Sequence, residues 1–187
     1  MKPIYIVDEI GAVVANVSTV LLPKLQIVDP KIQAVNYLYG HPNEIIATLT
    51  ARDKSPQLRF KKYPLVALFQ DFPEVKGKVV GEDNTVTLHL LIASATLPTY
   101  KADERYARNF KPILYPIYNE LLRQLDFNGN FFTKSPEQIE HTKIDRLYWG
   151  NKGIEFTSGK ETKNIFVDWI DCIELLNLTL PTYTKIC

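Results

Sequence analysis

Lys62–Leu97 reads KYPLVALFQDFPEVKGKVVGEDNTVTLHLLIASATL. Tyr63 to Phe69 is a nearly unbroken apolar run entered through Lys61-Lys62, which predicts a strand covered on both faces. Thr85 to Ala95 alternates instead. Val86, Leu88, Leu90 and Ile92 face one way, and Thr87, His89, Leu91 and Ala93 the other, the period-2 pattern of a second strand. Between them Asp71 to Asn84 carries one proline, two glycines and mixed charge, the composition of a long hairpin connection.

Downstream, Leu97-Pro98 ends the second strand. Asp103 to Leu125 then places Tyr106, Phe110, Ile113, Leu114, Ile117, Leu121 and Leu125 on one helical stripe. Pro112 and Pro116 interrupt it. Each removes a helical hydrogen bond at roughly 3 kcal/mol in a helix interior, so a kinked or split helix is expected. Upstream, Ile4 to Leu22 repeats Ile6, Ile10, Val13, Val14, Val17, Val20 and Leu21 at helical spacing, with Asp8 and Glu9 near the positive end of the dipole and Pro23 as the expected stop.

The connecting segments are read from turn chemistry. Asp29-Pro30 marks a turn, Ile32 to Tyr39 has strand composition, and Gly40-His41-Pro42-Asn43 breaks it. Asn43 is positioned to cap a short helix over Glu44 to Arg52, and Asp53 to Gln57 reads as a loop. Asn128-Gly129 is a turn, and Ser135-Pro136-Glu137-Gln138 can open one helical turn. Ile144 to Trp149 and Ile154 to Thr157 are expected to pair across Asn151-Lys152-Gly153, with Ser158 to Asn164 a polar loop. Ile165 to Leu180 is the terminal strand region, with a break or bulge around Leu175-Leu176 where the period slips. The expected architecture is one α+β domain: an antiparallel or mixed sheet, two long helices packed on one face, and a protruding hairpin.

Composition bounds the function. The chain has 187 residues, 45% apolar and 23% charged, with a net charge of +1, so it is neither a basic nucleic-acid binder as a whole nor an acidic mimic. No uninterrupted apolar run reaches a membrane span, and Asp8 and Glu9 interrupt the N-terminal apolar stretch, so no membrane partner and no export are expected. Of the two cysteines, Cys172 reads as a buried strand thiol and Cys187 as a loose thiol on the tail.

Catalytic signatures are sparse. His41, His89 and His141 lie at no zinc spacing, and no G-x-S-x-G, Walker or G-x-G-x-x-G motif occurs. No catalytic residue, metal site or cofactor is therefore expected. Carboxylates gather at Asp103-Glu104, Glu137/Glu140 and Asp168/Asp171/Glu174. Asp168 and Asp171 are the best pair for a metal-dependent nuclease, although a spacing of three puts them on opposite faces of an extended strand. Arg59, Lys61 and Lys62, interleaved with Phe60 and Tyr63, form a candidate basic patch for nucleic acid, or lysines guarding the mouth of an apolar strand. Arg105, Arg108 and Lys111 form a basic edge on the long helix.

The order of these elements resembles the tail terminator and tail-completion proteins of tailed bacteriophages. Three stretches carry the likeness: Tyr63-Pro64-Leu65-Val66-Ala67-Leu68 as a first core strand, Thr85 to Thr96 as its partner running into Asp103-Glu104-Arg105, and Phe110 to Leu125 with Tyr115-Pro116 as the helix across the sheet. The final strand from Asp171 to Leu180 also fits. The chain departs from compact members by extra material near 24–61 and 126–150. The resemblance implies a non-enzymatic virion protein, a sixfold ring that ends the tail tube and joins it to the head or neck. Its implied partners are other copies, the tail tube protein, neck proteins, and DNA passing through the lumen; assembly would take place in the host bacterial cytoplasm. A head–tail connector ring and a small nucleic-acid-binding protein are the alternatives. Glu74, Lys76, Lys78, Glu82 and Asp83 on the hairpin are the candidate subunit or lumen contacts.

Overall fold

The structure, a computed structural model, describes residues 5–75, 84–131, 136–147, 156–158, 161–163 and 168–182. The chain opens with helix α1 (Ile6–Val28), followed by strand β1 (Asn36–Gly40), helix α2 (Pro42–Lys54) and strand β2 (Leu65–Phe69). A two-residue strand β3 (Glu74–Val75) precedes β4 (Asn84–Ala95). Helix α3 (Ala102–Arg105) continues without interruption through a π-helical segment (Tyr106–Leu114) into α4 (Tyr115–Phe127). Strands β5 (Thr142–Arg146), β6 (Phe156–Ser158), β7 (Glu161–Lys163) and β8 (Ile170–Thr182) complete the described chain.

Six strands form a mixed sheet in the order β1-β2-β4-β8-β5, with β3 also paired to β4. Among the described residues only the β1–β2 pair is parallel. α2 makes the crossover between those two strands, as parallel neighbours require. β2 is buried at every position, as the apolar run at 63–69 implies; β4, read as a strand from the alternation at 85–95, is buried on both faces from Leu90 to Ser94.

Two hydrophobic clusters divide the sheet by face. Val66, Leu68, Leu88, Leu90, Ile92, Ile173 and Leu175 join Ile10, Val14 and Val17 of α1 and Leu114, Ile117 and Leu121 of the second long helix. Leu65, Ala67, Leu91, Ala93 and Cys172 join Ile45, Ile46 and Leu49 of α2 on the other face. The two long helices thus share one face, as expected, and the shorter α2 covers part of the opposite one. Residues 24–61, read as extra material, supply β1 and α2.

Three local expectations are corrected. α1 does not stop at Pro23; it runs on to Val28, because Leu25 is 1% exposed and the burial of that last turn outweighs one lost hydrogen bond on the outer face. The α2 cap is His41, not Asn43: its Nδ1 accepts from the Asn43 N–H while Glu44 Oε2 accepts from the His41 N–H. The described part of the predicted second hairpin strand, β6, pairs with β7, which lies in the stretch read as a polar loop; the Asn151-Lys152-Gly153 turn falls outside the described residues. α1 also has the length and mean hydropathy of a membrane-crossing helix, although no unbroken run does, and it packs its apolar stripe on the sheet as a core helix.

The prolines of the long helix are absorbed by register. Through Tyr106–Leu114 the backbone bonds are i to i−5, and the Tyr115 N–H donates to Phe110 O. A proline ring clashes with the carbonyl four residues earlier; the wider turn moves that carbonyl aside. Pro116 falls at the junction where the π segment passes into α4, at the change of register within one continuous helix. The terminal-strand bulge is also present. Leu88 faces Leu178 and Leu90 faces Leu175, so Leu176 and Asn177 together oppose His89, and Asn177 takes φ 55°.

Candidate functional site

One end of the sheet collects the charged side chains. β2 begins there, β4 ends there, β8 begins there, and the C-termini of α1 and α2 point toward it. A cleft of about 740 Å³ opens at this end, lined by Lys31, Ile32, Asp53, Arg59, Phe60, Lys62, Tyr63, Asp168 and Trp169, among others. A second cleft of about 560 Å³ adjoins it and shares Asp29, Ile32, Tyr63, Ala95 and Thr96, extending past Tyr100 and Arg108 to Pro112.

The floor of the first cleft is an ion-paired cluster. Lys62 is buried, with its Nζ 2.6 Å from Asp168 Oδ2 and 3.2 Å from Asp53 Oδ1. The Tyr63 hydroxyl donates to Asp168 Oδ2 at 2.8 Å. Burial, then the Asp168 charge and this bond, hold the Tyr63 phenol well above its usual range. Asp168 therefore faces a cation and a hydroxyl.

Below the second cleft lies a fully buried pair. Arg105 is 1% exposed and Asp171 is 0% exposed. Arg105 Nη1 donates to Asp171 Oδ1 at 2.5 Å and to Thr96 Oγ1 at 3.2 Å, its Nη2 to Leu97 O at 2.8 Å and its Nε to Tyr100 O at 2.9 Å. Asn109 Nδ2 takes the other carboxylate oxygen at 2.8 Å. One guanidinium thus ties the β4–α3 connection and the long helix to the first residues of β8.

A third polar group sits on the sheet face beyond α2. His89 Nε2 lies 3.0 Å from Glu174 Oε1 and packs its ring edge-on to Phe69, while Arg146 Nε donates to Glu174 Oε2. On the long-helix face the Tyr115 hydroxyl donates to Asp145 Oδ2 at 2.7 Å, which lifts that phenol to about 12, with burial adding to the rise. His141 Nε2 meets the Tyr118 hydroxyl at 2.9 Å.

Of the basic patch, Arg59 and Lys61 are exposed, and Lys62 is not. Arg59 Nε donates to Asp53 O, and Lys61 Nζ lies 5.7 Å from the Phe60 ring centroid. Of the helix's basic edge, Arg108 and Lys111 are exposed while Arg105 is an internal brace. Glu74 is exposed on β3; Lys76, Lys78, Glu82 and Asp83 lie outside the described residues. Asp168 and Asp171 serve separate partners and do not converge on one ion. Among the described residues no group of three or more His, Cys, Asp or Glu could hold a metal. Burial pushes the Cys172 thiol far up and removes it as a nucleophile at neutral pH.

Sequence reasoning missed the roles of Asp53, Tyr63, Arg105 and Asn109. For Arg105 a signal existed: Arg105 and Asn109 are about one turn apart beside the apolar stripe, and Asp171 is one of two carboxylates, with Glu174, that interrupt the otherwise apolar Trp169–Leu176 run. Comparison of the chain with family models, with curated proteins and with solved structures returns no match.

Proposed function

We propose that this chain is a structural ring subunit of a tailed-phage tail end or neck, a tail terminator or head–tail connector without catalytic chemistry. The observation that carries this reading is the strand arm. β4 has 12 residues and β8 has 13, against 5 in β2. Asn84 to Leu88 and Leu178 to Thr182 consequently pair beyond the end of β2, with β3 alongside. Phe131 bridges to Thr182 and packs with Ile139 in the core beneath, so the arm is backed and stiff. Closed rings need two different, complementary surfaces on each subunit, and a core-backed strand pair that runs past the end of β2 is suited to one of them. The sheet-end charges fit the same role, since they brace the helix and loops against the strands.

Light scattering with negative-stain microscopy, on the chain alone and mixed with tail tubes, tests the proposal. Rings, sixfold by expectation, or capped tube ends are the expected result. A strict monomer at high concentration that leaves tube ends bare overturns it. A small nucleic-acid-binding protein is the second reading, favoured by the exposed Arg59-Phe60-Lys61 step at the cleft rim.

A further inference from the structure

We infer that the outer edge of β1 is a self-association surface, where β1 of one copy pairs antiparallel with β1 of a second copy about a two-fold axis at Leu38. β1 is the terminal strand of the sheet order. Toward β2, the Asn36 N–H donates to Pro64 O and the Gly40 carbonyl accepts from the Gln70 N–H. Alternation along the strand then sends the N–H and C=O of Tyr37 and Tyr39 the other way, and no described backbone group meets them there. Two donors and two acceptors stand in a row on an open edge.

The side chains leave that edge undefended. Natural edge strands are blunted by lysines, inward charges, prolines or bulges. β1 is Asn-Tyr-Leu-Tyr-Gly, with none of these. β5, at the opposite end of the sheet, carries Lys143, Asp145 and Arg146 within five residues and is the guarded edge. Tyr39 is 53% exposed, while Tyr37 is held, its hydroxyl donating to Val7 O and its ring against Gly11 of α1. The strand is thereby anchored to the long-helix layer before any partner arrives.

The register is self-complementary. With Leu38 on the axis, Tyr37 faces Tyr39 of the second copy and Tyr39 faces its Tyr37. Both are hydrogen-bonded positions, so all four outward groups of each strand are satisfied at once. Tyr37 and Tyr39 lie on one face in each copy, their rings 6.0 Å apart, so four aromatic rings form one row. No other antiparallel register of this five-residue strand centres both tyrosines. A two-fold contact is isologous and a closing ring contact is not. The pairing is therefore independent of the ring; within a ring it would join one ring to another.

Sedimentation equilibrium over a wide concentration range reads the association. Wild-type chain is expected to show a reversible two-fold step, monomer to dimer or, where rings assemble, ring to paired rings. Tyr39→Lys alters an exposed side chain and places a charge in the row twice per dimer, so the dissociation constant should rise at least about tenfold with the circular dichroism unchanged. Tyr39→Phe should leave it within a factor of about three, since the ring remains. In a Cys187→Ser background, Leu38→Cys should give a disulfide-linked dimer under mild oxidation. The two Cα atoms of such a non-hydrogen-bonded pair lie about 4.5 Å apart, within disulfide reach. A wild-type monomer at all concentrations, a Tyr39→Lys chain that dimerises as wild type does, or a Leu38→Cys chain that stays uncrosslinked overturns the inference.

Discussion

Replacing Asp171 by alanine should cost this protein a large part of its stability. Asp171 has no exposed surface, and its two oxygens take Arg105 Nη1 at 2.5 Å and Asn109 Nδ2 at 2.8 Å. Removing it leaves a guanidinium that is 1% exposed, with its carbonyl and hydroxyl acceptors but without the carboxylate that it donates to at 2.5 Å. Breaking a buried pair from one side costs about 3–5 kcal/mol, much of it the stranded charge. For a chain of this size about 2–4 °C accompanies each kcal/mol, so the melting temperature should fall by roughly 6–20 °C. Urea denaturation should show a lower midpoint with an unchanged slope. The companion variant is Arg105→Met/Asp171→Leu, which exchanges the pair for apolar groups. Such exchanges are often neutral, so the double variant should recover most of the loss, and a double-mutant cycle isolates the coupling. A loss below about 1 kcal/mol for Asp171→Ala, or a double variant no better than the sum of its singles, would refute the assignment of this pair as the brace between helix and β8.

Two further outcomes follow from the same geometry. Lys62→Ala strands Asp168 beside the Tyr63 hydroxyl and should destabilise by about 1–3 kcal/mol by urea denaturation, discounted for the partly exposed carboxylates, while Lys61→Ala should fall within about 0.5 kcal/mol of wild type. Equal effects would show that burial at Lys62 carries no weight. The hydrogen bond to Asp145, with burial, raises the Tyr115 phenol to about 12, so the folded state favours its neutral form. Its contribution to stability is therefore full below the unfolded pKa of about 10 and lost as pH rises through the folded value. Phenolate absorbance should show a late-ionising tyrosine that Tyr115→Phe deletes; a titration unchanged by that variant would count against the bond.

Pattern alone located the strands that matter. The apolar run at Tyr63–Phe69 and the alternation at Thr85–Ala95 are one-dimensional signals; burial of β2 on both faces follows from the first, while the alternation marks β4 as a strand and its burial on both faces from Leu90 to Ser94 comes from the helices packed on either side. The slipped period near Leu175 also marks a real bulge, because an extra residue must shift the apolar set to the other face. Pro23 misled because its cost is local and modest, while the gain from burying Leu25 depends on the sheet behind it. β7 was hidden because a polar two-stranded ribbon carries no apolar alternation to detect.

The charged residues were illegible for a different reason. Lys62 and Arg105 are each within a basic group in the sequence, and one-dimensional spacing assigns a basic group to solvent. Their partners come from remote segments: Asp168 lies 106 positions from Lys62 and Asp171 lies 66 from Arg105. Only the antiparallel pairing of β4 with β8 delivers those carboxylates to the sheet end where β2 begins and the long helix starts. Ala93 opposite Cys172 and Ala95 opposite Ile170 set Asp171 across from Ser94, on the helix-bearing face, and the wide π turn keeps Asn109 within reach of it. A one-residue slip of β8 would turn Asp171 to the α2 face and separate it from Arg105. The pair is thus a register device. It adds to fold specificity by penalising the wrong strand alignment, which is the role a rigid sheet must have filled before any neighbour can dock on its edges.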